Sequence, residues 1–293
     1  MPPAQVGATK TDSHDYHWCG MMKVISVDRD TQFIRAGYIA GLKSPFHQFK
    51  NVRHHMKRNI FVIAMALGIA GSPAVAADYD AVKSKLEKAM AAPVRSEAET
   101  SRDRNRKPVE TLEFFGLRDD MKVVELFPGG GWYTKLLAPV LAEDGEFYVA
   151  FGADRVLESL AGKPGFGEIQ KTGEFANIDL DIDDVDMVLT FRNYHNFDED
   201  KRMALNESVF DSLKSGGIYA VVDHTRRHMQ GDNDENGRRV DPVHAIKEIQ
   251  AAGFELVDYS NLHYRADDEL RYEVGRKTVT GNTDRWTLMF RKP

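Results

Sequence analysis

Val123-Val-Glu-Leu-Phe-Pro-Gly-Gly-Gly-Trp-Tyr-Thr134 is the stretch that decides the fold. Its first half, apolar and closing on an acid at Glu125, predicts a buried strand, and the glycines at 129–131 predict a tight turn straight into a helix. Glycine lets a backbone approach a ligand closely, while a helix N-terminus offers unpaired N–H groups and a positive dipole. In an open α/β sheet the first strand–helix turn lies where ligands bind, so the segment reads as a binding fingerprint rather than a plain glycine turn. A dinucleotide dehydrogenase uses a similar turn. Its third glycine would fall at Thr134, and its ribose-binding acid is due roughly 20 residues further on, where the chain has Tyr148-Val-Ala-Phe151. A P-loop is excluded, because no Gly-Lys-Ser/Thr follows.

Outward from this turn, apolar strands alternate with helices. Strands are expected at 122–127, 146–151, 185–191, 217–223, 255–262 and 285–290, with a further one near 175–180. Helices are expected at 132–141, 155–160, 201–213 and 242–252. Such alternation gives right-handed crossovers and a parallel sheet covered on both faces. The last two strands have no helix between them and are expected to form an antiparallel edge. Upstream, Tyr79, Val82, Leu86 and Met90 fall at spacings of three and four, the stripe of an amphipathic helix. Pro93 interrupts it, Pro108 opens a second helix carrying Leu112 and Phe115, and Gly116 ends that one. Residues 78–115 are therefore expected to be N-terminal helices of the domain.

Residues 1–77 are of a different kind. Lys57 and Arg58, an apolar run at 60–70 and Gly71-Ser-Pro-Ala-Val-Ala-Ala77 follow in the order basic, apolar, small, which predicts a secretory signal peptide at 56–77. A membrane span needs about 20 apolar residues. Gly71, Ser72 and Pro73 cut this run short, so no stable span is expected in the mature form. Met56 stands directly before the basic pair, and residues 1–55 are expected to be a non-native or disordered leader. Residues 78–293 are then one domain, periplasmic or secreted if the signal is used and cytoplasmic otherwise. Residues 1–77 hold nine Lys or Arg against four Asp or Glu, so the net charge of −6 leaves −11 on residues 78–293. A domain that acidic repels phosphate backbones, and nucleic acid is not an expected partner. The single cysteine, Cys19, lies in the leader, so the domain has no disulfide, thiolate nucleophile or cysteine metal site.

Several segments together carry a family resemblance. They are the 125–134 part of the opening stretch, Asp186-Met-Val-Leu-Thr-Phe-Arg-Asn-Tyr-His-Asn196, Leu213-Lys-Ser-Gly-Gly-Ile-Tyr-Ala-Val-Val-Asp-His224, Ala252-Gly-Phe254 and Thr283-Asp-Arg-Trp-Thr-Leu-Met-Phe-Arg-Lys-Pro293. In this order they resemble the class I S-adenosylmethionine (SAM)-dependent methyltransferases over about residues 100–293, and within them an exported bacterial group of predicted methyltransferases. The resemblance implies a Rossmann-like, seven-stranded, mostly parallel sheet with an antiparallel last strand and helices on both faces. It implies SAM as the cofactor, with Glu125, Gly129, Gly130 and Gly131 facing its methionine end, and Gly131→Val is then expected to block binding in a folded domain. Two positions depart from the family pattern. Phe127 stands where the pattern has its first glycine, and the second strand ends in Ala150-Phe151 where the pattern has a ribose-binding acid, with Asp154 three residues on as its substitute.

Methyl transfer to oxygen or nitrogen needs in-line positioning and a base for the departing proton. The fourth strand ends in Arg192-Asn-Tyr-His-Asn196 and the fifth in Asp223-His-Thr225, next to the glycine turn. His195 is the expected base, since imidazole titrates near neutral pH. Asn193 and Asp223 are expected to orient it, and His224 to support the site. His195, Asp223 and His224 have the ligand types of a metal centre, but no metal is expected. Arg102, Arg104 and Arg106 read as a solvated face, with a pocket-facing role as the alternative. The loop at 233–239 reads as a mobile lid. Two functions fit these residues: methyl transfer to a small-molecule or lipid-like acceptor, and non-catalytic binding of a nucleoside or other metabolite on the same fold.

Overall fold

The computed structural model describes residues 74–293. The leader at 1–55 and most of the signal segment at 56–77 lie outside the described residues; the last four of that segment fall in the first helix. That helix is α1 (Ala74–Met90), followed by two single turns, α2 (Glu97–Thr100) and α3 (Asp103–Arg106), and by α4 (Pro108–Phe114). The expected stripe holds: Val82 and Leu86 are buried, and Tyr79 and Met90 pack against the same core. Pro108 sits at the first position of α4, where its missing N–H costs nothing.

From there the chain alternates: β1 (Lys122–Leu126), α5 (Thr134–Leu141), β2 (Glu146–Ala150), α6 (Asp154–Leu160), β3 (Ile169–Thr172), β4 (Val185–Phe191), α7 (Glu199–Ser212), β5 (Leu213–His224), α8 (Pro242–Ala251), β6 (Glu255–Ser260) and β7 (Arg285–Arg291). The seven strands form one sheet in the order β3-β2-β1-β4-β5-β7-β6. β7 is antiparallel to both of its neighbours, and the other pairs are parallel. The expected antiparallel pairing of the last two strands is present, with β7 inside the sheet and β6 at its edge.

Alternation along the central strands divides the core. Val123, Met187, Leu189 and Val222 face the layer that holds α1, α4, α5 and α6. Val124, Leu126, Val188 and Val221 face the layer of α7 and α8. Asp198 caps α7 by accepting from Lys201 N at 3.0 Å, and Asp241 caps α8 by accepting from Val243 N at 2.9 Å. Among the described residues no helix is long and apolar enough to cross a membrane.

The third strand differs from expectation. It is Ile169-Gln-Lys-Thr172, while 175–180 is a turn closed by an isolated bridge between Glu174 and Asp179. An edge strand with one apolar residue carries almost no hydrophobic signal. The apolar residues that suggested a strand, Phe175, Ile178 and Leu180, serve the packing above the sheet instead.

Candidate active site

Three strands leave the sheet through non-glycine residues in the left-handed region: Phe127 after β1 (φ 51°), Phe151 after β2 (φ 61°) and Arg192 after β4 (φ 59°). Such a conformation costs a bulky residue roughly 1–3 kcal/mol and clusters at functional sites. Hydrogen bonds hold the exits in place. Phe127 N donates to Ala150 O at 2.9 Å and Arg192 N to Val222 O at 2.7 Å. Asn193 Nδ2 reaches Phe127 O at 3.3 Å and Phe191 O at 3.1 Å, a strap across the carboxyl ends of β1 and β4. Asn193 thus ties the glycine turn to β4, and no hydrogen bond links it to His195.

A cavity of about 260 Å³ opens between this turn and the α2–α3 segment. Of the residues expected to bind cofactor, Glu125, Gly129 and Gly130 line it, as does Asn193. A Cβ added at Gly130 would meet nothing within 4 Å. Gly131 is turned the other way: φ is 79°, and an added Cβ would collide with Val156 on α6, so this glycine lets helix and turn pack. Gly131→Val would therefore strain the fold before it touched a ligand. Glu125, two residues after Val123, shares its face of β1 and so points toward the apolar layer, 3 % exposed. Burial pushes its carboxyl up to about 7, against a 2.6 Å hydrogen bond from Thr134 Oγ1 and the charge of Arg106, both of which act downward.

The arginines are the part of the site that the sequence underrates. Arg102, Arg106 and Arg192 line the cavity with Trp132, Tyr133 and Phe191. Arg106 is buried, its guanidinium 4.3 Å from the centre of the Trp132 ring. Burial, then the neighbouring charges of Arg192, Arg102 and Arg285, push it down to about 8. Tyr133 stacks on Phe191 at 3.5 Å between ring centres, closing the cavity floor. Glu99 roofs it: its carboxylate accepts from Lys135 Nζ at 2.6 Å and its carbonyl from Trp132 Nε1 at 2.9 Å. Of the three arginines in the charged run 101–107, Arg104 is exposed and outside this group, Arg102 is exposed and lines the cavity, and Arg106 alone is buried.

His195, Asp223 and His224 meet beside the cavity without lining it. His195 lies in a short 3-10 turn, Tyr194–Asn196, and β5 delivers the other two. Asp223, wholly buried, accepts from His195 N at 2.9 Å and from His224 N at 2.6 Å, and lies 2.6 Å from His195 Nδ1. A carboxylate only accepts, so Nδ1 carries the proton of this pair, and Nε2 is the ring nitrogen not engaged by Asp223. The His224 ring is 5.5 Å from that of His195, and its Nδ1 is 2.9 Å from Thr283 Oγ1. Burial, then the charge of Arg285, hold His224 well below the usual histidine range, so it is neutral. Arg192 joins the two groups: it lines the cavity, and its charge acts on both His224 and Asp223.

Over the ends of β1, β2 and β3 lies an aromatic cluster in which Phe151 is buried and Phe175 exposed. Phe127, Phe151, Phe175 and Phe197 pack with ring centres 5.0–6.1 Å apart. Asp154 starts α6 and pairs with Lys171 at 2.8 Å on the surface, away from the cavity. The loop at 233–239 is anchored at its end, where Arg239, buried, pairs with buried Asp268 through both guanidinium nitrogens at 2.8 and 3.0 Å. No residue of the loop lines the cavity. Among the described residues, the grouping with metal-ligand proximity is Glu199, His244 and Glu248 on α7 and α8. Glu248 there is already engaged by Arg202 and Tyr194.

No protein-family model and no curated protein sequence matches this chain. Solved structures do. A SAM-dependent methyltransferase from Aquifex aeolicus superposes with a TM-score of 0.50 at 18 % identity, covering 71 % of this chain and 97 % of its own. The [4+2]-cyclase SpnF superposes with a TM-score of 0.51 at 16 % identity, covering 73 % and 93 %. At such identities the likeness is one of architecture. With its seven strands in this order and β7 reversed, the chain has the Rossmann-like fold of the class I methyltransferases.

Proposed function

We propose that the chain transfers a methyl group from SAM to a small-molecule or lipid-like acceptor. The observation that carries the reading is the cavity at the glycine turn, where a buried carboxyl and several guanidinium groups face one small space. The methionine end of SAM bears an ammonium and a carboxylate, which match Glu125 and the arginines. At about 260 Å³ the cavity is just under the roughly 300–1,000 Å³ of sites that take a whole drug-sized ligand, a size suited to the amino-acid half. The phenylalanine group above β1–β3 offers apolar faces for an adenine, in place of a carboxylate for the ribose. The fold is shared with a protein named as a cyclase as well as with a named methyltransferase. Chemistry is therefore argued from the site and not from the fold.

When bound, SAM supplies a methyl group made electrophilic by its sulfonium. Glu125 and the arginines hold and orient, so the reacting atoms meet in line. His195 accepts the acceptor's proton at Nε2, and Asp223 fixes the tautomer that leaves that nitrogen free. His224, neutral, packs beside the His195 ring. A ready-made acid–imidazole pair is what separates this reading from passive metabolite binding. Calorimetric titration with SAM, followed by a screen for acceptors that release S-adenosylhomocysteine, tests it. A chain that binds no SAM refutes it. Export through the segment at 56–77 is proposed alongside, on the order of its basic, apolar and small residues.

A further inference from the structure

Among the described residues, three arginines that reach into the interior are neutralised by carboxylates. Arg95 pairs with Asp103, Arg202 with Glu248 and Arg239 with Asp268. The cations around the cavity are different. Among the described residues, Arg102, Arg106, Arg192 and Arg285 form no ion pair, although Arg106 and Arg285 are each only 6 % exposed. Arg285 donates to Asn105 O at 3.1 Å, but its Nε is buried with no partner at all. The carboxylates nearby are engaged otherwise: Glu99 with Lys135 and Asp223 with His195 and two backbone N–H groups, while Glu125 accepts from Thr134 and is the partner read above for the ammonium of SAM. Like charge and burial together lower the proton affinity of Arg106, Arg192 and Arg285. Buried charges are otherwise paired or bound to a counter-ion.

SAM does not balance this site. Its sulfonium and ammonium outweigh its single carboxylate, so it brings a net positive charge into a space already rich in guanidinium groups. One arginine can be met by that carboxylate, and the rest are left facing a further cation. The balance is restored only by an anion on the second ligand.

Resting on the methyl-transfer reading, we propose that the acceptor is an oxyanion-bearing small molecule whose carboxylate or phosphate is held by Arg192 and Arg285 beside the His195–Asp223 pair. Both arginines belong to strand ends, Arg192 after β4 and Arg285 at the start of β7, opposite His224 in the β5–β7 register. A forked guanidinium suits either oxyanion. Neutral or cationic acceptors would leave the cluster uncompensated, and the site selects against them.

The test uses the full chain loaded with S-adenosylhomocysteine and titrated with benzoate, phenyl phosphate and, as the uncharged control, benzamide. Benzoate or phenyl phosphate is expected to bind about ten-fold or more tighter than benzamide, the worth of a charge-assisted hydrogen bond. Which of the two binds tighter assigns the oxyanion as carboxylate or phosphate. Arg285→Gln and Arg192→Gln should each remove that preference. Arg285→Gln should leave S-adenosylhomocysteine affinity within about three-fold, because Arg285 does not line the cavity. Should a variant fail to fold, thermal melts of the unaltered chain give the same comparison, with the anions raising the melting temperature and benzamide leaving it unmoved. Equal binding of all three probes to a chain that does bind S-adenosylhomocysteine overturns the proposal and leaves methyl transfer standing. Arginine-dependent anion binding by a chain that binds no S-adenosylhomocysteine overturns both, since the anion is then no methyl acceptor.

Discussion

Replacing Glu125 by Gln removes a charge from the interior while keeping the shape of the side chain. The carboxyl is raised from 4.5 to about 7 by burial, and this net value already includes the opposing pull of Thr134 and Arg106. One unit corresponds to 1.36 kcal/mol, so holding Glu125 ionised in the folded state costs about 3 kcal/mol. The sign follows from proton binding. Between about pH 4.5 and 7 the folded state binds more protons at this position than the unfolded state, so stability falls as pH rises through that window and levels off above it. Gln cannot ionise, and its carbonyl can still accept from Thr134. The variant should match the parent near pH 4.5 and exceed it by about 3 kcal/mol at pH 8.5, or about 6–12 °C in melting temperature for a domain of this size. Urea unfolding of both proteins at several pH values measures the difference directly, since groups common to both cancel. The same change should weaken SAM by about ten-fold or more, because the ligand's ammonium loses its carboxylate. Parallel stability profiles, with no gain at pH 8.5, would refute the reasoning.

His195→Ala should lower turnover of an identified acceptor by about 10²–10⁴-fold with SAM affinity nearly unchanged, and His224→Ala by less; an unaltered rate for His195→Ala makes it a structural residue. The glycines should separate. Gly130→Val fills open space and is expected to cut cofactor affinity in a folded protein, whereas Gly131→Val meets Val156 and is expected to lower the melting temperature first. The reverse pattern in melts and titrations would show that the turn has been read the wrong way round. N-terminal sequencing of natively expressed protein should begin at Ala77 or Asp78, and a mature chain that keeps residues 1–55 sinks the export proposal.

What the sequence reveals depends on how locally each feature is encoded. The β1–turn–α5 unit is legible because strand, glycines and helix are contiguous, and so is β4, buried almost throughout as Val185-Asp-Met-Val-Leu-Thr-Phe191. β3 is not, since an edge strand needs few apolar residues and the neighbouring phenylalanines mimic one. The meeting of His195 with Asp223 follows from topology, because adjacent parallel strands end side by side. The arginine cluster has no such trace. Arg106 and Arg285 come from opposite ends of the domain, and no periodicity in the chain announces that both turn inward. The direction of Gly131 is equally hidden, as three identical residues cannot reveal which one packs and which one opens.

The position of β7 has a consequence for the order in which the molecule can be made. β6 pairs with nothing but β7, and β5 keeps one edge bare until the same strand arrives. On the ribosome, β5 and β6 therefore wait as unpaired edges while the intervening chain is synthesised, and the sheet closes only when residues 285–291 emerge. Arg285 arrives in that final strand, so the last cation of the site and the last seam of the sheet are delivered together. A nascent or nicked chain lacking β7 would expose two sticky edges, and it would also lack the full site. Assembly thus couples the site to completion of the sheet, and a chain stopped short of Arg285 is expected to aggregate rather than persist in a partly folded form.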